Sequence, residues 1–318
     1  MTGHPRSPRH LTVADLAARV AAGEIDTVVV AFTDMQGRLQ GKRLHGQYFI
    51  DEVLGHGTEG CNYLLAVDVE MNTVAGYAIS SWEHGYGDMV FALDTDTIRL
   101  LPHLPATAMI QCDLTFTDGS PVRPSPRSVL AAQVQRAEQA GYRAYAGTEL
   151  EFIVFTDTYR QAWNSGYREL TPANDYNVDY SILGTTRVEP LLRDIRNTMY
   201  GAGLTVESAK GECNLGQHEI TFRFAGVMTA ADDHSVYKNS AKEIAELRGC
   251  SLTFMAKYDS REGNSCHIHL SLRDLDGAGV FADPKNPARR TAVYEQFIAG
   301  VLATLAEFTL LYAPNINS

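Results

Sequence analysis

Gly147-Thr148-Glu149-Leu150-Glu151-Phe152-Ile153-Val154-Phe155 sets two carboxylates at i and i+2 of an otherwise apolar run. The run reads as a strand from Glu149 to Phe155, and the twofold alternation of a strand puts Glu149 and Glu151 on one face, with Leu150 and Phe152 on the other. Two anions side by side call for a cation. An isolated Glu-x-Glu is most often a pair on a solvated strand face, so its meaning depends on what the rest of the chain sets beside it.

Downstream, Glu212 and Glu219 flank Cys213-Asn214-Leu215-Gly216-Gln217-His218. Seven positions apart they face opposite ways on one continuous strand, but Gly216 can turn the chain and bring both into one cleft. His267-Ile268-His269 repeats the i, i+2 geometry, with Cys266, Ile268 and Leu270 expected on the opposite, apolar core face. Four carboxylates and same-face imidazoles form a metal-ligand inventory. The excess of carboxylate favours Mg²⁺ or Mn²⁺ over zinc, which recruits more His or Cys, and hard divalent ions suit phosphate chemistry. No G-x-x-x-x-G-K-[ST] loop and no strand-linked G-x-G-x-x-G is found, so a Walker-type NTPase and a Rossmann dehydrogenase both lose their support.

Outward from this core the chain divides at the breaker-rich stretch Asp118-Gly119-Ser120-Pro121-Val122-Arg123-Pro124-Ser125-Pro126. Before it lie a short helix from Asp15 to Val20, a strand from Thr27 to Phe32 that returns as a hairpin from Arg38 to Leu44, and apolar stretches at 63–69, 89–93 and 97–101. After it, helices are expected from Pro126 to Gly141 with an apolar stripe at Val129, Ala132, Val134 and Ala137, and at 189–200, 232–248 and 292–311. Strands are expected at 204–208, 218–224, 251–255 and 266–272. Irregular alternation of helices with antiparallel-looking strands indicates α+β. The divisions are a mobile extension at 1–10, a strand-rich domain at 11–118 and a second domain at 119–318.

The 318 residues carry 27 Lys and Arg against 38 Asp and Glu, a net charge of −11, with 45% hydrophobic residues. Nucleic acid and anionic membrane, which both want a basic surface, are poor partners for such a chain. No apolar run approaches the ~18 residues of a membrane span. Five scattered cysteines without CxxC spacing argue for a reducing cytoplasm.

Several further segments join these residues: Phe32-Thr33-Asp34-Met35-Gln36-Gly37-Arg38 with Gly41-Lys42-Arg43, Gly87-Asp88-Met89, Gly216-Gln217-His218-Glu219, Phe254-Met255-Ala256-Lys257, His267-Ile268-His269-Leu270-Ser271-Leu272 and Ala313-Pro314-Asn315-Ile316-Asn317-Ser318. In this order, and together with Gly147–Phe152, they resemble glutamine synthetase over nearly the whole chain. The resemblance implies an N-terminal β-grasp domain, a catalytic domain whose antiparallel sheet forms the active-site funnel, and a homo-oligomer of stacked rings with sites between subunits. It implies that Glu151, Glu212 and Glu219 hold a first Mg²⁺ or Mn²⁺, that Glu149 and His267 hold a second, and that Glu212 is also catalytic. Glu207, Phe224, His269 and Ser271 fall where the family contacts ATP, and Gly263 where a backbone carbonyl receives the α-amino group of glutamate. Tyr180 is the candidate for binding the other substrate, although for it, as for Trp163, plain packing is the alternative.

Three departures refine what the resemblance implies. The family's Asp-Gly-Ser-Ser loop, which binds ammonium, has no counterpart at Gly57-Thr58-Glu59-Gly60-Cys61-Asn62-Tyr63. Loss of a compact anionic ammonium site opens space for a substituted amine, so the chain looks more like the glutamine synthetase-like enzymes that use ethanolamine or polyamines. The expected reaction is ATP-dependent ligation of the glutamate γ-carboxylate to such an amine through γ-glutamyl phosphate. Ammonia-dependent glutamine synthetase and a non-catalytic scaffold or regulator are the alternatives. Ser265-Cys266 and Glu262 also replace the family's usual Gly-Met and Asn near the glutamate site. The sequence stops at Ser318 within a motif that the family continues, and is read as a truncated form of a longer enzyme.

Overall fold

Thr12 and Asp15 start the first helix, Val13–Ala21, with a capping box: the Asp15 amide donates to Thr12 Oγ1 at 3.1 Å and the Thr12 amide to Asp15 Oδ2 at 3.0 Å. Its buried residues, Leu16 and Val20, face a sheet built around β1 (Thr27–Thr33). A turn at Gly37 returns β1 as β2 (Leu39–His45). With β3 (Thr58–Cys61), β4 (Asp88–Leu93), β5 (Arg99–Leu100) and β6 (Thr107–Phe116), the order is β2-β1-β6-β4-β3, with β5 on β6. Only the β1–β6 pair is parallel. The computed structural model describes residues 10–80, 85–283, 285–315 and 318. The extension expected at 1–10 lies, except for His10, outside the described residues, as do Ile316 and Asn317 of the last family-like segment.

Alternation along β1 serves two cores. Val28, Val30 and Phe32 enter the one beneath the first helix, while Ala31 joins Met109, Phe152, Leu192, Ile195, Val236 and Ile244 in the other. The apolar stretch 63–69 does not extend as a strand. Asn62–Leu65 is a 3-10 turn, and Asn62 pins the loop by donating to the Ile79 carbonyl at 2.9 Å. Likewise 97–101 splits into a 3-10 turn, Thr95–Thr97, and the two-residue β5.

The second sheet is organised by one long strand, β7 (Tyr142–Phe155), with β8 (Val206–Gly211), β9 (Gln217–Phe222), β10 (Ala225–Gly226), β11 (Ser251–Thr253) and β12 (Cys266–Asp274). Along one edge β7 pairs with β12 and then β11, along the other with β10 and then β9, and β8 lies beyond β9. All of these pairs are antiparallel. The fold is α+β. β7 begins seven residues before Glu149 because Tyr142 through Leu150 pair with Asp274 through Cys266, a partner the local pattern does not announce.

The helix Val227–Leu247 lies between the sheets, starting five residues earlier than expected behind a Gly226 N-cap. Its Tyr237 ring packs 4.8 Å from Phe222 and 5.7 Å from Phe254, centroid to centroid. Asp232 and Asp233 on it meet Arg127 and Arg99 at 3.0 and 2.7 Å, and Arg127 reaches Asp94 and Asp113 at 2.7 Å. The helix Pro126–Gln139 buries Arg127 alone, and Val129 of the expected apolar stripe is 51% exposed. Ion pairs rather than an apolar face dock it.

The helix Glu189–Gly201 buries Leu191, Leu192, Ile195 and Met199 at the expected spacing. The single helix expected at 292–311 is two, Ala292–Thr304 and Thr309–Tyr312. The hydroxyls of Thr304 and Thr309 donate to the carbonyls of Gly300 and Leu305, four residues back, a pattern that bends helices. The expected core face of β12 is also revised: Cys266, Ile268 and Leu270 are exposed, because no described helix packs extensively over that face of the strand. All five cysteines are free thiols. Among the described residues no helix is long and apolar enough to cross a membrane.

Candidate active site

Strand registers align the acidic residues in two rows across the second sheet. Lys210, Glu219 and Glu151 face one another on β8, β9 and β7, and beside them run Ser208, Thr221, Glu149 and His267, the last from β12. Adjacent members of each row point to the same face because register pairs do. Gly216 closes the turn into β9 at φ +71°, where a Cβ would lie 2.4 Å from the Val154 carbonyl oxygen. The Val154 amide donates to the Gly216 carbonyl at 2.8 Å, and the Glu212 amide to the Gln217 carbonyl at 2.9 Å. This clamp carries Glu212 back over the sheet beside Glu219.

Two sets of side chains converge, each with ligand atoms within 4.8 Å of one another: Glu151, Glu212 and Glu219, and Glu149, Glu219 and His267. Glu219 belongs to both. Burial raises the Glu219 pKa, the charges of Glu149 and Glu151 raise it further, and the Lys210 ammonium offsets part of this. Glu149 moves the other way. Desolvation pushes it up, but hydrogen bonds and charge from His267 and His269, at 3.2 and 3.3 Å, outweigh that and hold its pKa low. Glu151 is 7% exposed and fixed by the Gln217 side-chain amide and the Ser265 backbone amide, each donating to Oε2 at 2.9 Å.

These groups line an open cleft of about 750 Å³ with Asp179, Tyr180, Glu207 and Ser208 on its walls. Oxygen ligands around a six-coordinate Mg²⁺ at about 2.1 Å lie about 3–4 Å apart, so both sets fit hard divalent cations by composition and by spacing. A third set, Asp179, Glu212 and Cys213, lies at the same edge.

Residues 123–318 match the glutamine synthetase catalytic domain. The chain belongs to the glutamine synthetase family. It is 62% identical over 308 residues to gamma-glutamylethanolamide synthetase GlnA4 of Streptomyces coelicolor, covering 97% of this chain and 66% of that protein. It is 35% identical over 295 residues to glutamate–isopropylamine ligase of a Pseudomonas species, covering 92% and 64%. The chain therefore spans about two thirds of the length of these relatives. Its fold superposes on apo GmaS with a TM-score of 0.81 at 22% identity, over 96% of this chain and 68% of GmaS.

The other positions carried over from the glutamine synthetase family are spread more widely. Glu207 sits at the cleft, at a β-bulge in β8 between Val206 and Ser208. Farther along the same face, Ser271 pairs with Tyr145, whose ring meets Phe224 edge-on at 6.1 Å, and a Cβ on Gly147 would touch Phe224 at 3.5 Å. His269 stands between these two ends, opposite Gly147 and against Glu149. Phe224 borders a separate cavity of about 600 Å³. The Gly263 carbonyl accepts from the Gln217 side-chain amide at 2.8 Å, and the same nitrogen reaches Glu151 at 2.9 Å. Tyr180 is 74% exposed at φ +53°, its ring 4.9 Å from the Lys210 ammonium. Trp163 is also exposed and packs edge-on against Tyr167.

Sequence reasoning passed over Lys210, Asp179 and Gln217. Lys210 stands two residues before Glu212 in Glu207-Ser208-Ala209-Lys210-Gly211-Glu212, so strand alternation alone put its ammonium on the carboxylate side. Gln217 had no comparable signal, since its reach to Glu151 depends on the β7–β9 register.

Proposed function

We propose that this chain carries most of the site of an ATP-dependent glutamate–amine ligase that joins the glutamate γ-carboxylate to a substituted amine, of the ethanolamine or polyamine class, through γ-glutamyl phosphate. The observation that carries the reading is the pair of acid-rich sets meeting at Glu219. Glu151, Glu212 and Glu219 would hold one Mg²⁺ or Mn²⁺, and Glu149 and His267, with Glu219 in reach, a second. Bound there, such ions would neutralise the triphosphate and the phosphoryl group in transfer.

The chain's own residues do the rest. Gln217 and the Ser265 amide hold Glu151 in one orientation. Glu212, beside Asp179 and the exposed Tyr180, is placed to take the proton that an attacking amine sheds. Glu207, His269, Ser271 and Phe224 run along one sheet face and suit an extended nucleotide. The open, acidic edge at Asp179 and Tyr180 suits a cationic amine larger than ammonium, and the activities for which the two relatives are named, an ethanolamide synthetase and an isopropylamine ligase, support that class. The same reading includes a cytoplasmic homo-oligomer of stacked rings.

The test is phosphate release from ATP with Mg²⁺, glutamate and, in turn, ethanolamine, putrescine and ammonium, with product masses recorded. Release that requires ethanolamine or putrescine, together with the γ-glutamyl amide mass, is expected. Release driven by ammonium alone would overturn the amine class, and because the chain carries only most of the site, it is the absence of both Mn²⁺ and ATP binding by calorimetry that would overturn the ligase reading.

A further inference from the structure

Among the described residues lining the cleft, Lys210 is the only Lys or Arg, against six carboxylates: Glu149, Glu151, Asp179, Glu207, Glu212 and Glu219. Its ammonium binds Glu212 and lies 3.6 Å from Glu219, so it touches two of the three carboxylates of the first set. It is also 4.9 Å from the centre of the Tyr180 ring. An ammonium on a four-carbon tether is a compact point charge, and here it sits against two of the three carboxylates that a divalent cation at the first set would need. Two cations cannot share Glu212 and Glu219 at such range without strong repulsion.

We propose that Lys210 is a tethered competitor for the first cation site: it neutralises Glu212 and Glu219 in the metal-free protein and is displaced when a divalent ion binds them. This rests on the metal reading given above. The Tyr180 ring already lies 4.9 Å from the ammonium, and a cation over an exposed aromatic face is held weakly but favourably, so this contact can persist when the two carboxylates release it. The strand geometry permits the exchange. Lys210 lies in register with Glu219, and its side chain is 23% exposed, so it swings outward without moving β8.

The competitor role predicts opposite signs for two measurements on Lys210→Met. Without metal, the variant loses the charge that offsets its crowded carboxylates and melts at a lower temperature than wild type. Its affinity for Mn²⁺ alone, titrated calorimetrically without ATP or glutamate, rises about tenfold, because the ion no longer displaces an ammonium. A merely structural lysine would lower both. Unchanged or weaker Mn²⁺ binding in the variant overturns the proposal, and absence of Mn²⁺ binding in both proteins removes the metal site itself.

Wild-type protein supplies a second measurement that does not depend on the variant folding. Reductive methylation followed by peptide mass spectrometry is expected to label Lys210 several-fold faster when Mn²⁺ is saturating than when it is absent. Labelling that is unchanged or slower with Mn²⁺ overturns displacement.

Discussion

The Gln217 side-chain amide donates to the Glu151 carboxylate at 2.9 Å, from a residue that is 1% exposed. The same nitrogen lies 2.8 Å from the Gly263 carbonyl and 3.0 Å from Asn264 Oδ1, while Gln217 Oε1 accepts the Asn214 amide at 2.9 Å. One side chain therefore ties the β9 turn, the 263–264 loop and the candidate ligand on β7 together. Gln217→Ala should weaken Mn²⁺ binding about 10–100-fold, the usual effect of removing a group that orients a ligand. It should also destabilise the fold by about 1–3 kcal/mol for the polar atoms left buried. Calorimetry and urea unfolding read the two effects separately, and Mn²⁺ binding at wild-type strength would show that Glu151 does not need this support.

Gly216 makes a second demand on the site. Its φ is +71°, and an alanine Cβ there would stand 2.4 Å from the Val154 carbonyl oxygen, which leaves no room for the methyl group. In Gly216→Ala the turn must open, which separates Glu212 from Glu219. Loss of Mn²⁺ binding is expected to exceed the loss in melting temperature, because Phe152, Val154 and Ile220 stay packed beneath the sheet. A variant that binds Mn²⁺ normally would mean that the turn does not set the spacing of the two carboxylates.

How far the site could be read from the sequence follows the range of the rules involved. The shared face of Glu149 and Glu151, the turn at Gly216 and the two same-side imidazoles of β12 all come from strand alternation and glycine's freedom, which act within a few residues. The pairing of Glu149 with His267 joins positions 118 apart in sequence and depends on which strand docks beside β7. Resemblance to a family bridged that gap where local pattern could not. Pattern misled where charge did the docking. The stripe of Val129, Ala132 and Val134 looked like a buried face, but the helix is held through Arg127, whose four hydrogen bonds to acids come from three separate segments. Lys210 was legible by alternation from Glu212, but its effect appears only once β8 and β9 are in register.

Arg127 gives the joint between the sheets a measurable weakness. Asp232 takes two of its N–H groups at 3.0 Å, and Asp94 and Asp113 take one each at 2.7 Å. Arg127→Met strands Asp232, a 3% exposed carboxylate on the central helix, and should cost about 3–5 kcal/mol in urea unfolding. Arg127→Lys should recover only part of that, since an ammonium cannot reproduce the fork. The double variant Arg127→Met with Asp232→Leu should recover more than the single one, because no buried charge is then left alone at that position. Wild-type stability in all three variants would mean that the network contributes nothing.

Acid should loosen the protein through two buried histidines before it reaches most carboxylates. Burial lowers His218 and His234 from 6.5 to about 4 in the folded chain, although His218 still reaches Asn174 Oδ1 at 3.0 Å and His234 reaches Thr148 Oγ1 at 3.1 Å. A folded-state pKa below the unfolded value means that the unfolded chain takes the proton first. The contribution of the neutral rings is therefore fully present above pH 6.5 and is lost as pH falls toward about 4. At pH 5 the loss should be on the order of 2 kcal/mol per histidine. Melting temperatures measured at pH 7.5, 6, 5 and 4.5 should fall most steeply between the second and third values. His234→Gln, which keeps a polar group toward Thr148 without a titrating ring, should flatten that slope even if it is less stable at pH 7.5. A slope unchanged in the variant would place the acid sensitivity elsewhere.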